Sequence, residues 1–131
     1  MKALRDILRI ALDSEDAEFR EGQEESILAA LRPPHRALVV QATGWGKSMV
    51  YFVATKVLRD QGRGPTLVVS PLLALMRDQK AAALRLGLQA GEYSTSNREE
   101  WPLIEQRVHE DSLDLLLVSP ERLANDSFVK L

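Results

Sequence analysis

Residues 41–48 read Gln-Ala-Thr-Gly-Trp-Gly-Lys-Ser and follow directly on the apolar run Ala37-Leu38-Val39-Val40. An apolar run that ends in Thr-Gly-X-Gly-Lys-Ser and leads into an amphipathic segment reads as strand, phosphate-binding loop and helix. Gly44 and Gly46 leave room for backbone N–H groups to wrap a phosphate. Lys47 brings a mobile positive charge to the β and γ phosphates, and the Ser48 hydroxyl is suited to ligate Mg²⁺. The helix that follows points its positive end at the anion. The expected ligand is a nucleoside triphosphate with Mg²⁺.

Composition narrows the class. With 131 residues the chain is one domain or part of one. It has no cysteine, which excludes disulfides and thiolate metal sites within it and fits a cytoplasmic protein. Formal net charge is −2, so the whole chain carries no basic footprint for nucleic acid, and any such contact must come from local geometry. Met1–Asp6 runs into a charged amphipathic pattern, not a signal peptide. No apolar run is long enough to span a membrane, and no membrane partner is expected.

Periodicity gives an alternation of elements. Leu4, Ile7, Leu8 and Ala11 stand at helical spacing, predicting a helix over 2–12 that Asp13-Ser14-Glu15-Asp16 breaks. A second helix is expected over Gln23–Leu31, ended by Pro33-Pro34. Then come a buried strand over Ala37–Gln41, a helix over Ser48–Asp60, and a turn over 61–65. A second strand over Thr66–Ser70 leads to a helix over Leu72–Leu86, and a short third strand covers Gln89–Tyr93. Ser94-Thr95-Ser96-Asn97 can cap a helix from about Arg98 to Glu110. Leu113–Val118 is a fourth strand, with a short helix after Pro120. Apolar strands alternating with helices indicate a parallel sheet covered on both faces.

Val69-Ser70-Pro71 and Val118-Ser119-Pro120 occupy the same place in this pattern, a strand end followed by a helix start. Ser is a good N-cap and Pro suits the first helical position, which alone accounts for the repeat. Both helix ends would also present free N–H groups at the carboxyl edge of the sheet, the phosphate-loop edge. Successive phosphates of a nucleic-acid strand could be held there.

Taken in order, these segments resemble the RecQ-like DNA helicases of superfamily 2, from Phe19 to Leu123. Phe19-Arg20-Glu21-Gly22-Gln23 is similar to the family's Phe-Arg-X-Gly-Gln motif, with Glu21 where Pro is usual. The resemblance implies that Gln23, with Arg20 beside it, reads adenine; an amide donates and accepts at once, matching adenine N6 and N7. Ala42–Ser48 looks like the family's motif I, with Trp45 in place of a small residue. Gln41, standing where the strict loop pattern has Gly, is common in helicase-like ATPases. Ser70-Pro71-Leu72 with Leu75, Asp78 and Gln79 resembles motif Ia, and Ser119-Pro120-Glu121-Arg122-Leu123 the Ser-Pro-Glu-Arg-Leu motif. The resemblance implies a P-loop, RecA-like fold with residues 1–18 as an N-terminal helix and linker. Residues 19–131 would be the first part of the ATP-binding domain. It implies ATP bound by Arg20, Gln23, Thr43, Gly44, Trp45, Gly46, Lys47 and Ser48, with Lys47 catalytic and Ser48 on Mg²⁺. It implies DNA contacts from Ser70, Pro71, Gln79, Ser94, Ser119 and Arg122, single-stranded and duplex DNA as partners, and 3′ to 5′ movement. A cytoplasmic location follows, nucleoid-associated in a bacterium.

The family's Asp-Glu-X-His motif and second RecA-like domain do not occur by Leu131, so the chain is expected to be a fragment of a longer protein. Without the acidic motif it should bind nucleotide and hydrolyse it poorly. A superfamily 2 translocase that does not separate strands, and a non-catalytic ATP- or DNA-binding module, are the alternative readings. Tyr51 matches a family position but is expected to pack against the sheet. His35 and His109 read as surface residues, and Glu99, Glu100, Glu105, Glu110 and Asp111 as a solvated helix face. Trp101 reads as a helix anchor, and Met49 and Phe52 as core.

Overall fold

Leu4–Leu12 forms α1, burying Ile7, Leu8 and Ala11 on one stripe as their spacing requires. Asp13 ends it in the left-handed conformation, and the free N–H of this cap returns to the carbonyls of Arg9 and Ile10. The computed structural model describes residues 3–42, 44–71 and 80–124. They fall into two compact units, Met1–Arg63 and Gly64–Leu131.

In the first unit, α2 spans Gln23–Leu31 and α3 spans Lys47–Asp60. Both α1 and α2 pack on α3, which buries Met49, Phe52, Val53, Ala54 and Val57. Each large apolar side chain taken from water contributes about 1.5–3 kcal/mol. Met49 and Phe52 are core as expected, and Tyr51 is half-buried with its ring edge-on to Phe52 at 5.0 Å. Burial raises the Tyr51 phenol above its usual pKa.

The strand expected over Ala37–Gln41 is corrected: those residues adopt no strand, and Leu38 and Val40 are 90% and 80% exposed. A strand is stable only when its backbone groups pair with a neighbour. Among the described residues none pairs with this segment, so its apolar character alone does not fold it.

In the second unit a three-stranded parallel sheet holds β1 (Thr66–Val69), β2 (Ala90–Tyr93) and β3 (Leu115–Val118) in the order β1-β3-β2. The central β3 is buried along its whole length, as a Leu-Leu-Leu-Val run predicts. Edge strand β1 alternates, and Leu67 and Val69 are exposed. The described part of the helix expected over Leu72–Leu86 is α4, Lys80–Arg85. Ser94 caps a 3₁₀ segment, Thr95–Glu100, that leads into α5, Trp101–His109. A second 3₁₀ turn covers Pro120–Ala124. The helix expected from about Arg98 thus begins as 3₁₀, and the short helix expected after Pro120 is 3₁₀. Helix α5 lies so close to β2 that a Cβ on Gly91 would stand 2.9 Å from Ile104 Cδ1 and 3.2 Å from Leu113 Cδ1. Tyr93, Ile104, Leu113, Leu116 and Val118 form the core there, with Trp101 and Val108 against it.

Candidate nucleotide and nucleic-acid sites

The first site lies within the first unit, where α3 begins. Gly44 and Gly46 both have positive φ, 87° and 98°, the left-handed region that glycine enters without a Cβ clash. Lys47 and Ser48 open α3 immediately after, Lys47 exposed and Ser48 half-buried, so the helix start faces whatever the loop holds. Thr43 lies outside the described residues.

The Phe-Arg-Glu-Gly-Gln turn holds this loop by its carbonyls. The Arg20 guanidinium donates to the Gly44 carbonyl, and the Gln23 amide donates to the Gly46 carbonyl at 3.1 Å. Gln23 Oε1 accepts from the Arg20 backbone N–H at 3.0 Å, so the amide is fixed at both ends. In return the Trp45 indole donates to the Glu21 carbonyl at 3.0 Å. Trp45 is the residue whose partner the sequence could not supply, because that partner is a backbone oxygen. The contact with Gln23 is tight: a Cβ on Gly46 would stand 2.8 Å from Gln23 Nε2. Gln23 is buried, and in this state its amide grips the loop it was expected to serve beside. Bonds to carbonyls occupy no N–H of the loop, and N–H groups are what a phosphate needs.

Among the described residues no group of three or more His, Asp or Glu side chains could hold a metal. The donor present, one hydroxyl at a helix start, fits Mg²⁺ carried mostly by nucleotide phosphates and water.

The second site is the carboxyl edge of the sheet in the second unit. Val69 pairs with Val118, and Tyr93 pairs with Val118 on its other side. The next residues are Ser70, Ser119 and Ser94, so three of the expected DNA-contacting serines stand side by side where three parallel strands end. The Ser70 N–H donates to the Val118 carbonyl at 2.9 Å, extending the ladder to that edge. Pro71 follows, exposed. Gln79, with Leu72, Leu75 and Asp78 of the same motif, lies outside the described residues.

The serines differ in what they do. Ser94 donates from its hydroxyl to the buried Glu92 carboxylate at 2.6 Å and forms a reciprocal capping box with Asn97. The Ser119 hydroxyl is buried, and among the described residues it has no hydrogen-bond partner. It lies close enough to Glu121 to hold that exposed carboxyl below its usual pKa. Arg122, one turn on, keeps its Nε buried and, among the described residues, without a hydrogen-bond partner, with its guanidinium 5.1 Å from the centre of the Trp101 ring. Trp101 is anchored as its place in the sequence suggests. It stacks on Tyr93 at 4.3 Å and donates to the Ser94 carbonyl at 2.8 Å. Tyr93 donates to Glu105 at 2.8 Å, which removes Glu105 from the purely solvated face expected of it. Burial, then that carboxylate, pushes the Tyr93 phenol up to about 12. His35 and His109 are exposed, as expected.

The model of the DEAD/DEAH box helicase family matches residues 20–130. The ATP-dependent DNA helicase RecQ of Haemophilus influenzae is 40% identical over 114 residues, covering 86% of this chain and 18% of that protein. RecQ of Bacillus subtilis is 30% identical over 116 residues, 87% of this chain and 19% of that protein. The ATP-dependent DNA helicase Q-like 2 of Arabidopsis thaliana is 37% identical over 111 residues, 82% of this chain and 15% of that protein. The chain thus spans less than a fifth of the length of these relatives.

Proposed function

The chain belongs to the DEAD/DEAH box helicase family, and we propose that it is the ATP-binding first part of a RecQ-like DNA helicase motor, residues 19–131 forming the start of its first RecA-like domain. ATP hydrolysis in the protein that carries it would drive movement along single-stranded DNA, 3′ to 5′, and separate a duplex. The observation that carries the reading is the phosphate loop at the start of α3, gripped by the Phe-Arg-Glu-Gly-Gln turn through Arg20 and Gln23. Lys47 neutralises the β and γ phosphates, Ser48 ligates Mg²⁺, and the loop N–H groups from Thr43 to Gly46 cradle the anion. Adenine is read by the Gln23 amide, redirected from its present bond to the Gly46 carbonyl, with Arg20 beside it.

Ser70, Ser94, Ser119, Pro71, Gln79 and Arg122 form the DNA side. Among the described residues, the Ser119 hydroxyl and Arg122 Nε are donors there without a hydrogen-bond partner, suited to donate to a phosphate oxygen. A second RecA-like domain elsewhere in the protein completes the cleft, and a cytoplasmic location goes with DNA as substrate.

Lys47→Ala in the protein that carries this segment should abolish ATP hydrolysis and strand displacement together. Strand displacement that persists in the variant would sink the assignment. DNA-stimulated hydrolysis without displacement in the unaltered protein would favour a translocase.

A further inference from the structure

The Trp45 side chain reaches out of the loop to the turn before α2. It lies between Gly44 and Gly46, whose carbonyls are gripped by Arg20 and Gln23, and its own indole N–H grips the Glu21 carbonyl at 3.0 Å. Its six-membered ring covers Gly22, where an added Cβ would stand 3.8 Å from the ring. The turn and the loop therefore exchange hydrogen bonds in both directions across residues 20–23 and 44–46.

The three bonds are not equivalent. Arg20 and Gln23 are the side chains expected to meet the base, so nucleotide competes for them. Their hold on the loop carbonyls can be redirected when adenine arrives. Trp45 donates to a backbone oxygen that no nucleotide group needs. Its indole has a single donor and only two side-chain torsions, so the contact persists at little cost in conformational freedom.

We propose that Trp45 is a positioning residue: its indole strut keeps the base-reading turn in register with the phosphate loop, so that adenine and triphosphate are recognised as one unit. The inference rests on the reading of residues 20–23 and 43–48 as an ATP site. It predicts that the strut matters for nucleotides carrying the right base and not for a bare polyphosphate, which touches the loop alone.

The test is a binding titration of this chain with ATP, GTP and inorganic tripolyphosphate, each with Mg²⁺, for the unaltered protein and for Trp45→Phe. Phenylalanine keeps an aromatic ring at this position and deletes the N–H. The expected result is about a fivefold loss of ATP affinity, the worth of one ordinary hydrogen bond. Tripolyphosphate affinity should be unchanged, and the preference for ATP over GTP should shrink by the same factor. An equal loss for all three ligands would mean that Trp45 only shapes the loop, and no loss would mean that the strut is idle; either overturns the proposal. Failure of the unaltered chain to bind ATP overturns the ATP-site reading itself. Trp45→Ala is read in the same way where the phenylalanine variant does not fold.

Discussion

The glycine loop before α3 is assembled by side chains gripping backbone carbonyls, whereas the serine edge is assembled by strand register. At the loop, Arg20, Gln23 and Trp45 fix a short glycine-rich segment whose conformation no regular element would supply. At the sheet edge, hydrogen-bonded pairing puts Ser70, Ser119 and Ser94 in line, and nothing about the serines themselves is needed to bring them there. The difference bears on what mutation does. A change in the loop should be felt mainly in ligand affinity. A change at the edge should be felt in stability or affinity according to whether the particular serine is bonded.

Ser94→Ala tests the bonded case and should have the largest effect on stability. It deletes the cap of Thr95–Glu100 and one donor to the buried Glu92 carboxylate, a loss of about 2 kcal/mol measured by denaturant unfolding. A loss below about 0.5 kcal/mol would show that register alone holds that edge. Gly91→Ala should come next, because its Cβ must push into Ile104 and Leu113, at about 1–2 kcal/mol in the same measurement.

Tyr93 adds a pH dependence confined to the sheet unit. Its phenol is raised to about 12 in the folded chain. The folded state therefore holds its proton more tightly than the unfolded state. That contribution is full below the ordinary phenol value of about 10 and is lost as pH rises toward the folded value. Alkaline unfolding of Tyr93→Phe should lack this loss between those two values, and unchanged alkaline behaviour would argue against the buried pair with Glu105. The smallest stability effect is expected for Ser119→Ala. Among the described residues the buried Ser119 hydroxyl has no hydrogen-bond partner, and its influence on Glu121 reaches only an exposed carboxyl, so its removal should change stability by no more than about 0.5 kcal/mol. The same variant should bind single-stranded DNA about fivefold more weakly, by the worth of one hydrogen bond, in a fluorescence anisotropy titration. Ser94 and Ser119 thus give opposite results from neighbouring strand ends.

The turn before α3 was readable from the chain because Gly44 and Gly46 stand where positive φ is needed, directly before the helix that Lys47 opens. Helix α2 was readable to the residue because Gly22 and the two prolines bracket it. The strand over 37–41 was misread because apolar composition records a preference for burial, not a partner, and pairing is a property of the whole sheet. The alignment of Ser70, Ser119 and Ser94 was only half visible. Two Ser-Pro steps signalled matching strand ends, but the order β1-β3-β2 and its register arise from pairing between distant segments. Trp45 was visible as an anomaly and silent as to its role, since its acceptor is a carbonyl common to every residue.

The most direct test of the account is a calorimetric titration of this chain with Mg²⁺-ATP, run beside Lys47→Ala and Ser119→Ala. The account predicts one binding site, weakened about tenfold to 100-fold by Lys47→Ala through loss of a charge-assisted contact to phosphate and unaffected by Ser119→Ala. Binding that is indifferent to Lys47, or no binding by the unaltered chain, would contradict it.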